Sequence, residues 1–360
     1  MQPWDLPAPE LKSSGLLDLA GQDRSFLETW MKTHGHPVYR ATQVFEGMHQ
    51  HRWTNWNDFS NLSVPIRSFL KERASWSLPT IIRSLSSEDG ATKHVFSLDD
   101  GLEIEGVYMP YERRKTLCIS SQVGCAMGCT FCATGDMGIK RNLTTSEIVG
   151  QVHAMLIHHK VVTTHKPTDI PMNIVFMGMG EPLHNLDNVM RAFRIMIDPK
   201  GLNIPPKRIT LSTSGLVPQI KQLGAFSPKP KLALSLNAGN DTYRSQIMPV
   251  NRVWGMEILK QTLREFPLGP REMITLEYVL LKGITDRMKD IEDLINFAEG
   301  LPCKINFIPF NIHEGSGYET PDASHISILC SKVAKSGIRV SVRRSRGQDV
   351  AGACGQLIRE

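Results

Sequence analysis

The sequence of 360 residues lacks a long hydrophobic run. Its most apolar stretch, around Met273–Leu281, is interrupted by Glu277, and none reaches the roughly 18 apolar residues of a membrane-spanning helix. The N-terminal segment also lacks the basic and then apolar pattern of a secretory signal. We therefore expect a protein with no membrane partner in a reducing, cytoplasmic compartment.

The chain also lacks a strong excess of either charge. Lys and Arg number 41 against 36 Asp and Glu, which gives a net charge of +5. This balance allows a nucleic-acid partner without indicating one, because many ordinary enzymes share it. Charged residues make up 21% and hydrophobic residues 41% of the chain, so general disorder is excluded. The length suits two average domains, or one larger α/β barrel with an appendage.

Cysteine is sparse, and its odd number, seven, is untypical of a secreted disulfide framework. Four of the seven nevertheless fall within fifteen residues, which indicates metal or redox chemistry. Cys125, Cys129 and Cys132 form a C-x3-C-x2-C pattern that can hold one face of an iron–sulfur cluster and leave one iron open. A zinc site completed by Cys118 or a histidine is the alternative. It fits less well, because structural zinc sites usually use two C-x2-C pairs.

The first part of the chain divides into three segments. Residues 1–15 form a loose leader, residues 16–75 are predicted to form a small all-α domain, and residues 76–110 a β-hairpin extension. The helical pattern covers Asp23–His34, Ala41–His49 and Ile66–Arg73. The hairpin prediction depends on two alternating stretches on either side of the turn Asp99-Asp-Gly.

Residues 111–357 alternate between short apolar strands and helical stretches about six times. The predicted strands are Thr116–Ser120, Asn173–Met177, Arg208–Thr213, Lys231–Leu236, Met273–Leu280, Lys304–Pro309 and Arg339–Val342. The predicted helices are Thr145–His158, Leu186–Ile197, Met256–Glu265, Asp286–Ala298 and Asp322–Ser336. This repetition predicts parallel βαβ units, closed or nearly closed into a partial (β/α)6-type barrel of the α/β class. A doubly wound open sheet is the alternative.

Small and polar residues stand at the predicted strand ends, where such folds perform chemistry. Gly180 lets a ligand approach the backbone closely, and Glu181 places a carboxylate beside it, which suits an amino group. Ser212, Ser235 and Asn237 offer hydroxyl and amide groups to a ribose or an amino-acid moiety. Taken singly, each is more simply explained as a turn or helix-cap residue.

A last cysteine, Cys354, stands between Ala353 and Gly355 after the basic segment Arg343–Arg346. Small neighbours let such a loop move and let a thiol approach a substrate. From composition alone, however, an unreactive apolar cysteine is the simpler interpretation, as core packing is for Cys118.

Together these motifs resemble the RlmN/Cfr family of rRNA adenine methyltransferases, in the radical S-adenosylmethionine superfamily. The segments that carry the resemblance are Thr116-Leu-Cys-Ile-Ser-Ser-Gln-Val-Gly-Cys125, the cysteine loop, Arg141-Asn-Leu, Gly178-Met-Gly-Glu-Pro182 and Ala353-Cys-Gly-Gln-Leu357. The similarity extends from about Gly35 to Leu357. The pairing of a cysteine loop with a distant C-terminal cysteine is highly specific.

The resemblance implies two cofactors and their ligands. A [4Fe–4S] cluster would be bound by Cys125, Cys129 and Cys132. S-adenosylmethionine would be held by Gly180, Glu181, Ser212, Ser235, Leu236, Asn237 and Asn311. The family often has His where this chain has Asn237. It more often has Asp-Ile-Asp-Ala-Ala where this chain has Asp349-Val-Ala-Gly-Ala, so closure of the loop that carries Cys354 is expected to differ.

The resemblance also implies a catalytic sequence. Cys354 would be methylated to S-methylcysteine by one S-adenosylmethionine. A second would be cleaved to the deoxyadenosyl radical, which takes hydrogen from that methyl group, and the methylene radical would add to adenine. Cys118 would release the adduct by forming a disulfide with Cys354, and Glu105 would accept the proton. Glu103 shares a strand face with Glu105, so only the match to the family motif selects Glu105 as the proton acceptor. Without that match, the simpler interpretation is that both glutamates are exposed residues of a strand.

The implied substrate is carbon 2 of an adenosine in 23S rRNA, with tRNA as a second candidate. Flavodoxin or ferredoxin would donate electrons to a monomeric enzyme, and the N-terminal helical domain would bind RNA. Basic segments that could contact RNA are Arg113–Lys115, Lys140–Arg141 and Arg343–Arg346. Cfr-like methylation of carbon 8 is an alternative with the same motifs. A zinc-stabilised RNA-binding assembly factor is the alternative from another class, although it would have no need of the pair Cys118 and Cys354.

Overall fold

The structure, a computed structural model, describes residues 15–161 and 170–357. Except for Gly15, the predicted leader at residues 1–15 lies outside the described residues. Among the described helices, none combines the length and the apolar character needed to cross a membrane.

The N-terminal module contains three helices in the segment where helical periodicity predicts them. In chain order its elements are β1 Leu17–Asp18, α1 Arg24–Thr33, α2 Tyr39–His49, α3 Val64–Arg73 and β2 Ala74–Ser75. Their apolar faces meet in one core, in which Leu27, Phe45 and Leu70 are fully buried. The two short strands pair in parallel and join the ends of the module. They were not predicted, because two residues carry no alternation.

Three antiparallel strands follow where the sequence predicts two. They are β3 Thr80–Ser86, β4 Thr92–Ser97 and β5 Glu103–Tyr111. The additional strand is β3, an edge strand that is mostly exposed and therefore lacks a clear apolar face. The predicted hairpin of β4 and β5 continues into the main sheet, since β5 pairs with the next strand, β6 Arg114–Ile119.

The rest of the chain alternates between strands and helices. After β6 the elements are β7 Gln122–Gly124, α4 Ala133–Asp136, β8 Ile139–Asn142, α5 Thr145–His158, β9 Met172–Phe176, α6 Leu186–Ile197, β10 Ile209–Thr213, α7 Val217–Ala225, β11 Lys231–Ser235, α8 Asp241–Ile247, α9 Met256–Glu265, β12 Ile274–Leu280, α10 Met288–Ala298, β13 Cys303–Pro309, α11 Ala323–Lys335 and β14 Val340–Val342. The main sheet has ten strands in the order β14-β13-β12-β11-β10-β9-β6-β5-β4-β3.

The strand order identifies the architecture. From β6 and β9 to β14, each strand pairs in parallel with the next one along the sheet, and the order never reverses. Right-handed crossovers in one direction put the connecting helices on one face and curve the sheet into a partial barrel. The α/β partial-barrel prediction is confirmed. The doubly wound alternative is wrong, because that fold requires a reversal of strand order.

Candidate functional site

A cavity of about 140 Å³ opens at the carboxyl ends of the parallel strands. Its walls combine the cysteine loop, the ends of β9 to β13 and the segment around Cys354. Of the residues that the sequence predicts for the site, it brings together Cys125, Cys129, Cys132, Gly180, Glu181, Ser212, Ser235, Asn237, Asn311 and Cys354. Leu236, Cys118 and Glu105 lie outside this wall as the described residues form it.

The cysteine loop is held at its base by the hairpin of β7 and β8. The backbone N–H of Cys125 donates to the carbonyl oxygen of Gly138 at 3.0 Å. Gly124 has φ +77°, and a Cβ atom there would lie 1.9 Å from the same Gly138 oxygen. Only glycine fits this position, both for its left-handed backbone and for the close approach of the two strands.

The three thiols of the loop fit an iron–sulfur cluster. Burial raises the pKa of Cys125 to about 12 and also raises the pKa of Cys129 and Cys132. Their mutual repulsion raises the pKa of Cys129 further. Three poorly hydrated thiolates on the wall of one cavity need positive charge beside them, and iron supplies it. Backbone N–H groups of Met127 and Gly135 also point at the sulfur atoms of Cys125 and Cys132, as expected for metal-bound thiolates.

Glu181 is a buried carboxylate at the end of β9. One of its oxygens accepts a hydrogen bond from the backbone N–H of Leu183 at 3.0 Å, and the other accepts from Ser214 at 2.7 Å. Burial raises the pKa of Glu181, while the hydrogen bonds lower it. Gly180 is required beside it, because it has φ +96° and a Cβ atom would lie 2.5 Å from Gln122. The turn therefore carries a carboxylate, fixed by two backbone N–H groups, to which a ligand amino group could bind.

The two serines at the ends of β10 and β11 face a carboxylate that sequence analysis missed. Ser212 donates a hydrogen bond to Glu277 at 3.2 Å, and the hydroxyl oxygens of Ser212 and Ser235 are 3.3 Å apart. Glu277 lies in β12, is 4% exposed and lines the cavity. Its signal was present in the sequence as the one acid that interrupts the most apolar stretch. A buried acid inside a core strand is a candidate site residue.

Asn237 follows β11 with φ +59°, a left-handed conformation that asparagine tolerates better than most residues. Its side-chain oxygen accepts from the backbone N–H of Val279 at 3.0 Å, which ties the end of β11 to β12. Leu236, beside it, is fully buried, and its carbonyl accepts a hydrogen bond from Arg244 at 2.9 Å. Any contact of Leu236 with S-adenosylmethionine stays a prediction that would have to involve its backbone.

Arg244 is the second residue that sequence analysis missed. This fully buried residue of α8 donates hydrogen bonds to the carbonyl oxygens of Ser214, Ser235 and Leu236 and to the side chain of Asn251. Burial lowers its pKa to about 10, so the guanidinium stays charged at neutral pH. It therefore fixes the carboxyl ends of β10 and β11, and its charge stabilises a thiolate at Cys129.

The segment around Cys354 packs directly on the cysteine loop. The backbone N–H of Ala133 donates to Gly355 at 2.8 Å, and the hydroxyl of Thr134 donates to the carbonyl of Leu357 at 2.6 Å. From the other side, the amide of Asn311 donates to the carbonyl of Cys354 at 2.8 Å, and the oxygen of the same amide accepts from Gln348 at 2.7 Å. Asn311 thus positions Cys354, and its predicted contact with S-adenosylmethionine stays a prediction.

Cys354 also lines a second, smaller cavity of about 20 Å³, which contains Cys118 and Arg343. Burial raises the pKa of Cys118 to about 12 and that of Cys354 to about 11. Burial alone would lower the pKa of Arg343, but its electrostatic interactions with Cys354, Glu277 and Cys118 raise it. Arg343 reaches Glu277 at 3.9 Å. The two cysteines are therefore neighbours beside a permanent cation, although they are 236 residues apart in sequence.

Glu105 lies near Cys118 but outside both cavity walls as the described residues form them. Val107 of β5 pairs with Cys118, and Glu105 shares the face of Val107 two residues earlier. Contrary to the expectation of an exposed strand glutamate, Glu105 is 2% exposed. The ammonium group of Lys93, on the neighbouring strand β4, lies 3.1 Å from its carboxylate.

The basic segments differ in their availability. Arg141 makes ion pairs with Glu147 at 2.8 Å and Asp100 at 2.7 Å, so its charge is compensated within the chain. Arg346 is held by the carbonyl of Pro110 and by Asp89. By contrast, Arg113, Arg114, Lys140 and Arg344 are exposed. The exposed cations are therefore the better candidates for RNA contact.

Comparisons with known proteins agree with this geometry. The family model of the Radical SAM superfamily matches residues 119–298, and that of the ribosomal RNA large subunit methyltransferase N-terminal domain matches residues 17–75. The chain is 44% identical over 343 residues to the dual-specificity RNA methyltransferase RlmN of Geobacter sulfurreducens. This alignment covers 95% of this chain and 92% of the relative. It is 43% identical over 331 residues to the protein of the same name from Bdellovibrio bacteriovorus, in an alignment that covers 92% of this chain and 81% of that relative.

Among solved structures, a radical SAM methyltransferase from Sphaerobacter thermophilus is similar over 95% of this chain and 99% of its own, with a TM-score of 0.88 and 37% identity. The similarity thus includes both the barrel and the N-terminal module. The chain belongs to the RlmN family, and it is a radical S-adenosylmethionine RNA methyltransferase that uses a [4Fe–4S] cluster and S-adenosylmethionine.

Proposed function

We propose that the enzyme methylates carbon 2 of an adenosine in 23S rRNA and in tRNA, with Cys354 as the carrier of the methyl group. The observation that carries this proposal is the position of Cys354 on the wall shared by two cavities. One cavity contains the cysteine loop and the strand-end polar groups, and the other contains Cys118 and Arg343. A thiol in this position has access to a methyl donor on one side and to a second thiol on the other.

The chain's residues have distinct parts in this scheme. Cys125, Cys129 and Cys132 would hold the cluster, which supplies the electron that cleaves S-adenosylmethionine. Glu181 would bind the amino group of S-adenosylmethionine. Its other polar groups would be bound by the hydroxyls of Ser212 and Ser235, by Asn311, and by the backbone around Gly180, Leu236 and Asn237.

The carrier thiol and its neighbours would complete the reaction. Cys354 would transfer a one-carbon unit to the adenine ring, and the base would stay linked to its sulfur until Cys118 forms a disulfide with it. An external reductant would then restore both thiols. Glu105 would accept the proton that the ring loses. The Lys93 ammonium, 3.1 Å away, supports this assignment because it holds the Glu105 carboxylate in place beside the strand that carries Cys118.

Two features support RNA as the substrate. The relatives with more than 40% identity are named dual-specificity RNA methyltransferases, and the N-terminal module matches a domain model named for large-subunit rRNA. The exposed cations Arg113, Arg114 and Arg344 lie on segments next to the smaller cavity, whose rim they could extend toward phosphates. The target adenosine would have to leave its stack to reach Cys354.

The test is a nucleoside assay. Iron-reconstituted protein receives S-adenosylmethionine, a reductant and either unmodified 23S rRNA or tRNA, and digested nucleosides are analysed by mass spectrometry. We expect 2-methyladenosine with wild type and none with Cys354→Ala. Cys330→Ala is the matched control, since Cys330 is a free, partly buried cysteine on α11 that lines neither cavity. 8-Methyladenosine would assign the alternative regiochemistry, and full activity of Cys354→Ala would refute the carrier role.

A further inference from the structure

Three histidines converge away from the proposed active site, where β4 meets the end of α5. His94 lies in β4 and is fully buried, His158 ends α5, and His159 follows it. One side-chain nitrogen from each histidine lies within 4.8 Å of those of the other two. The Nε2 atoms of His94 and His159 are only 2.8 Å apart. None of these residues has a part in the proposed methylation.

Two of the three rings, His94 and His159, lie in surroundings that favour the neutral imidazole to which a metal binds. Burial lowers the pKa of His94 to about 3, and the neighbouring rings of His159 and His158 lower it further. Burial and His158 likewise lower the pKa of His159 to about 4. At neutral pH these two rings are therefore uncharged, and each carries a nitrogen lone pair.

Two further contacts orient the rings. The hydroxyl of Ser84, on β3, lies 2.8 Å from Nδ1 of His94, so it can accept the Nδ1–H and leave the Nε2 lone pair facing the other histidines. Histidine ligands of metals usually have such a partner for their second nitrogen. The ring of Tyr108 stacks on His159 at a centroid distance of 3.8 Å, which fixes the plane of that ring.

We propose that His94, His158 and His159 form a binding site for a divalent transition-metal ion, with zinc as the ion to test. Three imidazole nitrogens and one water molecule form a common tetrahedral zinc environment, and the exposed position of His158 leaves room for the water. With zinc–nitrogen bonds of about 2.0–2.1 Å, ligand nitrogens lie about 3.3 Å apart. The two Nε2 atoms at 2.8 Å would therefore separate by only about half an ångström.

Binding would replace one hydrogen bond by metal bonds. Because His94 donates its Nδ1–H to Ser84, the proton between the two Nε2 atoms belongs to His159, and that ring would change to its Nδ1–H tautomer. The ion would then link β4 to the end of α5. Because Lys93 and Glu105 lie on β4 and the strand next to it, the link would also brace the strands beside Cys118.

The experiment uses cluster-loaded wild-type protein under anaerobic conditions, with zinc chloride titrated against a chromophoric competitor. The variants are His158→Ala and His159→Gln, chosen because neither residue is fully buried. The control is His51→Ala, which removes an exposed histidine outside the cluster. Iron content is measured before and after each titration, so that zinc displacing the iron–sulfur cluster is detected. Zinc-edge X-ray absorption then identifies the ligand atoms.

We expect one zinc ion to bind wild type and the control, a Kd at least tenfold weaker in both variants, and unchanged iron content. The absorption data should give nitrogen or oxygen neighbours at about 2.0–2.1 Å. Zinc should also raise the thermal midpoint of wild type and not of the variants. The proposal is overturned if the variants bind zinc as tightly as the control, or if sulfur neighbours at about 2.3 Å place the zinc on cysteines.

Discussion

Replacing Arg244 by Met should destabilise the protein strongly, because this one side chain donates hydrogen bonds to three backbone carbonyls and to Asn251. Methionine fills similar space but donates nothing, so four buried acceptors would lose their partner. Each unsatisfied buried group costs about 1–3 kcal/mol. Since the neighbourhood relaxes and the losses are not additive, we expect a total of about 4 kcal/mol. For a chain of this size that corresponds to a drop of roughly 5 °C in the thermal midpoint.

The assay is differential scanning calorimetry of cluster-loaded protein, with S-adenosylmethionine binding measured by equilibrium dialysis. Binding should weaken as well, because Arg244 fixes the strand ends that carry Ser212 and Ser235. Arg252→Met is the matched control, since Arg252 is exposed and donates to a single carbonyl, that of Ser245. Its midpoint should stay within about 1 °C of wild type. A change of less than 1 °C in Arg244→Met would refute the inference that its hydrogen bonds hold the site together.

Three further predictions concern the cysteine loop, the carrier thiol and the buried ion pair. Gly124→Ala should lower the bound iron, measured by elemental analysis, at least fivefold, because the added Cβ atom would clash with the carbonyl oxygen of Gly138. The control Gly138→Ala should keep most of its iron, because no atom of the described residues beyond its chain neighbours lies within 4 Å of the position of its added Cβ atom. Because its raised pKa of about 11 keeps Cys354 protonated, its alkylation by iodoacetamide, followed by peptide mass spectrometry, should rise about tenfold per pH unit from pH 8 to 10; a plateau near pH 8.5 would contradict this. Lys93→Met should lower the free energy of unfolding by about 3 kcal/mol, because it leaves the Glu105 carboxylate buried without its partner, and the double variant Lys93→Met/Glu105→Gln should recover part of this loss. Equal thermal midpoints for the single and the double variant would exclude a coupled pair.

The barrel could be predicted from the sequence because buried parallel strands are short, apolar and followed by glycine or polar residues. All seven strands of the parallel part, β6 and β9 to β14, lie where the apolar runs predict them. Most of the elements that were missed lack such a pattern, although α7 was missed and buries Val217, Ile220 and Leu223 at helical spacing. The helix α8 has only seven residues, β3 is mostly exposed, and β7 and β8 are held by a close glycine contact that periodicity does not record.

The site could be predicted in part for a similar reason. Cysteines and glycines at a fixed spacing serve few other structural purposes. The loop at Cys125–Cys132 and the turn at Gly180 could therefore be predicted as parts of the site from the sequence. Arg244 could not be found this way, because three of its partners are backbone carbonyls, which have no signature in a sequence. Glu277 was visible as an acid in an apolar run, but only the pairing of β11 with β12 brings it beside the two serines.

The contact between the cysteine loop and the segment around Cys354 also constrains the order of assembly. Thr134 and Leu357, which are hydrogen-bonded in the folded protein, are 223 residues apart in the chain. At a synthesis rate of about 5–20 residues per second, the loop leaves the ribosome roughly 10–45 s before the segment that covers it. During that interval the three thiols face solvent and any iron donor, and the arrival of Cys354 then encloses them.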